Sequence, residues 1–339
     1  MISMREKQEG YPSGIARIRG GFNTQNEENK MITAQRLRRA DQKDEEKDMT
    51  KKEFQELAAS DIVLLDGATG SNFRKAGMPV GVSTELWAIE HPDVVRMLQN
   101  GYVEAGSQII YAPTFSANRL GLEMHGLTDR LEEINTKIVK LSKEIAGGRA
   151  YVAGDMTTTG RMLEPAGDIS YEELLDVYKE QAAVLANAGA DLIIAETMLS
   201  VDETTVLLDA VQAVCDLPVM CSLTLEADGR ALYGGDAVEA VETLQAMGAV
   251  SVGLNCSVGP NQLEAVVRSM KEVAKIPVLA KPNAGMPVMD QMGFAHYDMT
   301  PEQFAAAMKK LIEAGAGVVG GCCGTTPEYI RALAKVIGR

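Results

Sequence analysis

Three cysteines carry the chemistry that this sequence suggests first. Cys322 and Cys323 are adjacent, framed as Gly320-Gly321-Cys322-Cys323-Gly324, and Cys256 closes the run Gly253-Leu254-Asn255-Cys256. A thiolate is both a nucleophile and a soft metal ligand. Three thiolates with an exchangeable fourth position describe a catalytic zinc site, not a closed structural one. Neighbouring residues on a regular strand point to opposite faces, so both members of the pair reach one ion only where the backbone turns. Gly320, Gly321 and Gly324 supply freedom for such a turn. A redox disulfide stays open for the adjacent pair, and core packing for Cys256 alone. Cys215 and Cys221 read as core residues. His91, His125 and His296 lack ligand spacing and read as surface residues.

These residues need a scaffold that brings them together. From Asp61 onward, short apolar runs alternate with amphipathic stretches. Strands are expected at Ile62–Leu65, Gln108–Tyr111, Tyr151–Gly154, Leu192–Ala195, Val219–Leu223, Ser251–Leu254, Val278–Ala280 and Val318–Gly320. They lack polar alternation, as strands buried on both faces do. Helical patterns between them include Pro92–Glu104, Tyr171–Asn187, Ala237–Met247, Gln262–Ala274 and Pro301–Glu313. Gly106, Gly189, Gly248 and Gly315 each follow such a pattern, where a left-handed residue stops a helix. About eight such units favour a closed (β/α)8 TIM barrel over a doubly wound sheet.

In that architecture the functional mouth lies at the C-terminal ends of the strands. The residues just past the strand candidates are Asp66, Thr114, Asp155, Glu196, Thr224, Cys256, Asn283, Cys322 and Cys323. Nearly all are polar or metal-capable, and the strand starts show no such cluster. Cys256 ends the sixth strand and the pair ends the eighth, so one strand separates them and their sulfurs can converge.

The bulk properties restrict the remaining classes. The chain has 339 residues, 46% hydrophobic and 24% charged, with a formal net charge of −14. An acidic surface repels phosphate backbones, which argues against nucleic acid. No apolar run approaches the roughly 20 residues that span a bilayer, and the start lacks a secretory pattern. The expectation is a cytoplasmic protein with reduced thiols and no membrane partner. Residues 1–52 are charged and poor in apolar side chains, so they read as a disordered or loosely helical extension before a barrel at 53–339. A targeting peptide fits less well, because the segment contains many acidic residues. Met49 is an alternative start just before the folded part.

Asp66-Gly67-Ala68-Thr69-Gly70, Gly253-Leu254-Asn255-Cys256-Ser257 with Gly259-Pro260, Pro282-Asn283-Ala284-Gly285 and Gly320-Gly321-Cys322-Cys323-Gly324-Thr325-Thr326-Pro327 occur in that order. The chain thereby resembles the homocysteine S-methyltransferase family, nearest to the homocysteine-binding barrel of cobalamin-dependent methionine synthases, from about Val63 to the C-terminus. The resemblance implies that Cys256, Cys322 and Cys323 bind zinc and that Asn283 fills the fourth position until a substrate thiol displaces it. It implies that Asp66 and Glu196 meet the substrate's amino group, with Thr114 and Asp155 nearby in the pocket. Two segments depart from the family pattern: Ala112-Pro113-Thr114-Phe115 and Asp155-Met156-Thr157-Thr158-Thr159-Gly160.

The implied reaction is methylation of homocysteine, held as a zinc thiolate, to methionine. The methyl group would come from methylcobalamin on a separate corrinoid protein, because the chain has no Asp-x-His-x-x-Gly signature. Other readings are a stand-alone enzyme using S-methylmethionine or betaine, and a non-enzymatic zinc barrel acting as a scaffold. Aromatics make up only 5% of the chain, which disfavours an onium cage.

Overall fold

Leu, Ile and Val runs bounded by glycines form the strands of one parallel ring. The computed structural model describes residues 49–289 and 295–339; the expected extension up to residue 48 lies outside them. The strands are β1 (Val63–Leu64), β2 (Ile109–Ala112), β3 (Tyr151–Thr157), β4 (Leu192–Met198), β5 (Val219–Leu223), β6 (Ser251–Cys256), β7 (Val278–Pro282) and β10 (Ala316–Val319). A short antiparallel hairpin, β8 (Pro287–Met289) and β9 (Ala295–Tyr297), is inserted after β7. The helices are α1 (Lys51–Ser60), α2 (Gly70–Lys75), α3 (Thr84–Glu90), α4 (Pro92–Glu104), α5 (Arg119–Glu123) and α6 (Leu131–Ala146). They continue with α7 (Tyr171–Asn187), α8 (Val201–Val214), α9 (Ala237–Ala246), α10 (Glu264–Val273), α11 (Pro301–Glu313) and α12 (Pro327–Val336).

The eight-stranded sheet runs β1-β10-β7-β6-β5-β4-β3-β2, with every pairing parallel. The two ends meet through a parallel bridge between Leu65 and Ile109. There the Gln108 N–H donates to Leu64 O at 2.7 Å, and the Leu64 N–H donates to the Gln108 side-chain oxygen at 3.1 Å. A side chain completes the seam where the short β1 offers few backbone partners. The result is the (β/α)8 barrel that the alternation predicted.

All eight expected strands are present, but β3, β4, β6 and β7 run two or three residues further than their apolar cores. Asp155, Glu196, Cys256 and Lys281 are therefore strand residues, not loop residues. The cause is the two-residue period of a strand. Ile109, Ala153, Ile194, Met220 and Leu279 face the barrel interior as buried residues, and Tyr111, Asp155, Glu196, Ser222 and Lys281 lie two positions further along the same strands. Polar side chains thus stack directly above an apolar plug. Phe54 of α1 and Met49 join that interior cluster.

The helix α1 is held by a capping box between Thr50 and Glu53, so the 52/53 boundary expected from composition falls inside a helix. The four helix-stopping glycines all adopt positive φ, from 94° at Gly189 to 120° at Gly315. Helix α6 carries two polar residues, Asn135 and Ser142, on its buried stripe. Both are buried and satisfied: Asn135 donates to Ala117 O at 2.9 Å, and Gln99 donates to the Ser142 hydroxyl at 3.0 Å.

Candidate active site

The Cys256, Cys322 and Cys323 sulfurs lie within 4.8 Å of one another, with Cys256 and Cys323 at 4.0 Å. They come from the end of β6 and the loop after β10, on either side of β7. The turn that aims them differs from the expectation. The left-handed backbone falls on Cys256 (φ 59°) and Ser257 (φ 57°), and within the glycine frame only Gly324 has positive φ, at 85°. Gly320 and Gly321 are needed for close approach instead: a Cβ would meet Asp66 O at 2.8 Å at the first and the Thr325 side chain at 2.6 Å at the second. Non-glycine residues with positive φ are strained, and strain of this kind gathers at functional sites.

Asn255 secures the strained strand end. Its side-chain oxygen accepts from the Ser222 hydroxyl at 2.8 Å and the Thr197 N–H at 2.9 Å, and its amide donates to the Thr197 hydroxyl at 2.7 Å. The same amide stands 3.8 Å from the Cys322 sulfur. One buried amide thus ties β4, β5 and β6 to the cysteine loop. Thr197 carries the third positive φ outside glycine, at 58°.

The three thiols resist ionisation as a cluster. Contact with Cys322 pushes the Cys256 thiol up to about 12, and contact with Cys256 pushes Cys323 up to about 11. A soft cation would reverse this, because thiolates that repel one another are all stabilised by a shared positive charge. The surroundings fit such an ion. Asn283 is buried beside the cluster, its N–H bonded to Val258 O and its amide to Ser257 O at 3.1 Å, yet its side-chain oxygen has no hydrogen-bond partner. Neighbouring backbone joins the two halves: Cys322 N–H donates to Pro282 O at 2.7 Å and Ala284 N–H to Cys323 O at 2.9 Å. An orphaned acceptor on a residue whose backbone lies between the two cysteine-bearing segments suits a fourth ligand.

The sulfurs open on a cavity of about 360 Å³, whose wall includes Tyr111, Asp155, Glu196 and Lys281. Of the other expected site residues, Asp155 and Glu196 line it, whereas Asp66, Thr114 and Asn283 do not. Thr114 is fully buried and staples β2 to β3, donating to Asp155 O at 2.8 Å and accepting from the Asp155 N–H at 3.0 Å. Asp66 accepts from the Tyr111 N–H at 2.8 Å and lies beneath Lys281. The departing segment after β3 is anchored: buried Glu203 of α8 accepts from Thr158, Thr159 and Tyr178. His91, His125 and His296 are exposed, and Cys221 is core.

Lys281 is the site residue that sequence reasoning missed. Its ammonium stands 3.1 Å from Glu196, 3.5 Å from Asp66 and 4.6 Å from the Tyr111 ring centre. Burial works against this charge, but Glu196 and Asp66 outweigh it and hold the lysine well above its ordinary range. Burial raises Asp66 to about 6 despite Lys281, and burial, reinforced by Glu196, raises Asp155 well above the carboxylate range. The available signal was one charged residue in the apolar run Val278-Leu279-Ala280-Lys281-Pro282.

Fold and site together define a (β/α)8 barrel whose mouth gathers three thiols suited to a soft metal ion. The chain belongs to the homocysteine S-methyltransferase family, whose model matches residues 63–337. It is 30% identical over 302 residues to a methionine synthase of Mycobacterium leprae, covering 84% of this chain and 25% of that protein. It is 30% identical over 294 residues to a methionine synthase of Mycobacterium tuberculosis, covering 81% of this chain and 24% of that one. The chain thus spans about a quarter of the length of these relatives. Among solved structures, the homocysteine methyltransferase MmuM from Escherichia coli in its oxidized form shares the fold at a TM-score of 0.70 and 23% identity, over 82% of this chain and 97% of that one. Its metallated form matches with a TM-score of 0.69. No helix among the described residues is long and apolar enough to cross a membrane.

Proposed function

We propose that this chain is a zinc-dependent S-methyltransferase that converts homocysteine to methionine, with the methyl group delivered by a methyl-corrinoid protein in trans. The observation that carries this reading is the meeting of three sulfurs within 4.8 Å of one another. Cys256, Cys322 and Cys323 would hold the ion, and Asn283 would occupy the fourth position until the acceptor thiol takes it. When bound, zinc supplies Lewis acidity that keeps the acceptor sulfur deprotonated near neutral pH.

The chain's own residues do the rest. Asn255 and the left-handed Cys256–Ser257 turn fix the direction of one thiol, so little reorganisation is needed when the acceptor binds. The cavity wall orients the acceptor's alkyl chain and limits water, and such positioning can supply about 7–11 kcal/mol of an ideal near-attack geometry. The methyl-corrinoid donor follows from the likeness to methionine synthases; the cavity wall itself carries Tyr111, whose face is taken by Lys281, and Phe115.

The test is the zinc content of purified, reduced protein, with proton release followed as homocysteine is added. About one zinc per chain with proton release near neutral pH supports the proposal. Zinc that ignores homocysteine removes the acceptor, and protein that binds no zinc under reducing conditions leaves the cysteines as a redox pair.

A further inference from the structure

The carboxylates expected to receive a substrate ammonium already hold one from the chain. Lys281 bridges Glu196 and Asp66, and its side chain is only 4% exposed. Lys281 belongs to the cavity wall and Asp66 does not. A ligand therefore reaches Asp66 only by displacing a lysine that is held by two carboxylates and an aromatic face. Its strand gives it little room to leave, since β7 is hydrogen-bonded on both sides to β6 and β10.

We propose that Lys281 is a built-in substitute for the amino group of the acceptor, so that the site takes small alkyl thiols with or without an ammonium. This rests on reading the mouth as a thiol methyltransferase site. A buried carboxylate pair that is neutralised by a tethered ammonium does not require a cation from the substrate. A second ammonium at the same place would face like-charge repulsion at short range. Of the other carboxyls on the cavity wall, Glu85 accepts from the Ser83 hydroxyl and the Ser116 N–H, and Asp155 has one oxygen without a hydrogen-bond partner. Burial keeps that group toward its neutral form, so it offers a dipole and not a second full negative charge. Homocysteine stays within the accepted class, and its amino group ceases to be a requirement.

The experiment compares homocysteine with 4-mercaptobutyrate, the same thiol without its amino group. Dissociation constants are measured by calorimetry on zinc-loaded protein, so the readout does not depend on a methyl donor. The expected result is that the two constants agree within about 10-fold, whereas a site that binds a substrate amino group through dedicated buried partners rejects the analogue by about 10⁴-fold. Lys281→Met frees both carboxylates and should shift the preference toward homocysteine by more than about 10-fold. If that variant does not fold, the wild-type comparison decides alone. Tight homocysteine binding with 4-mercaptobutyrate rejected by about 10³-fold or more overturns the role of Lys281 and leaves the methyltransferase reading standing. Failure of both thiols to bind refutes the thiol-acceptor reading and this inference with it.

Discussion

Asp66→Asn is the most instructive single change in the mouth, because its effect on stability has a defined sign and pH window. Asp66 is buried, accepts one backbone hydrogen bond from Tyr111 and has a second oxygen without a hydrogen-bond partner. Its pKa is raised from 3.8 to about 6, chiefly by burial. The unfolded chain releases this proton near pH 4 and the folded chain near pH 6. Between those values the folded state holds the extra proton, so the stability of the wild type falls as pH rises through the window. A shift of roughly two units corresponds to about 3 kcal/mol at 1.36 kcal/mol per unit. Asparagine keeps the shape and the acceptor for Tyr111 but cannot ionise. Variant and wild type should match near pH 4, and the variant should be the more stable at pH 8 by up to about 3 kcal/mol. Urea unfolding of metal-free, reduced protein across this range measures the difference, and titrating groups remote from Asp66 cancel between the two proteins. A variant that matches the wild type near pH 4 and becomes the less stable of the two as pH rises to 8 would mean that the Lys281 pairing outweighs the burial of the carboxylate and that the effect has the opposite sign.

Cys322→Ala should lower zinc stoichiometry to background and abolish turnover while leaving the far-ultraviolet circular dichroism unchanged; full zinc content with activity would remove the three-thiol site. Gly253→Ala should prevent folding, because the new Cβ would lie 1.9 Å from Leu279 O in the β6–β7 ladder, and a backbone atom cannot swing aside. Soluble variant protein with wild-type thermal stability would contradict that geometry. Glu203→Ala removes the shared acceptor of Thr158, Thr159 and Tyr178, each a charge-assisted bond worth about 1.5–3 kcal/mol. It should destabilise the chain by about 3 kcal/mol or more and make the segment after β3 sensitive to proteolysis. A loss under about 1 kcal/mol would show that this segment is anchored elsewhere.

The ring itself was legible because eight apolar runs and four helix-stopping glycines are local signals. The convergence of Cys256 with Cys322 and Cys323 followed from strand order alone. Less visible was anything set by a partner far along the chain. Thr114 stands at a strand end, as a ligand-binding residue would, but its hydroxyl bonds the backbone of β3. Lys281 hides in an apolar strand, and its role depends on Asp66 and Glu196 from other strands. The turn was expected at the Cys322-Cys323 pair within its glycine frame, yet the left-handed residues also include Cys256 and Ser257, beside the Asn255 bonds to Thr197 and Ser222. No local pattern encodes such long-range support.

The position of β10 gives the cysteine cluster a second consequence. β10 enters between β7 and β1, and its seam with β1 consists of two residue pairs, Val63–Val318 and Leu64–Val319. The loop after β10 delivers two of the three thiols, and the third is anchored across β7. An ion held by all three would fasten β6 to the loop after β10 across β7, and that loop in turn holds the segment after β1 through the Gly321 N–H, which donates to Asp66 O at 3.1 Å. Affinity for the ion and closure of the ring would then be linked, each favouring the other by the same free energy. Substitutions at Val63 or Val318 would register as weakened metal affinity, and stripping the metal would register as faster amide exchange along β1.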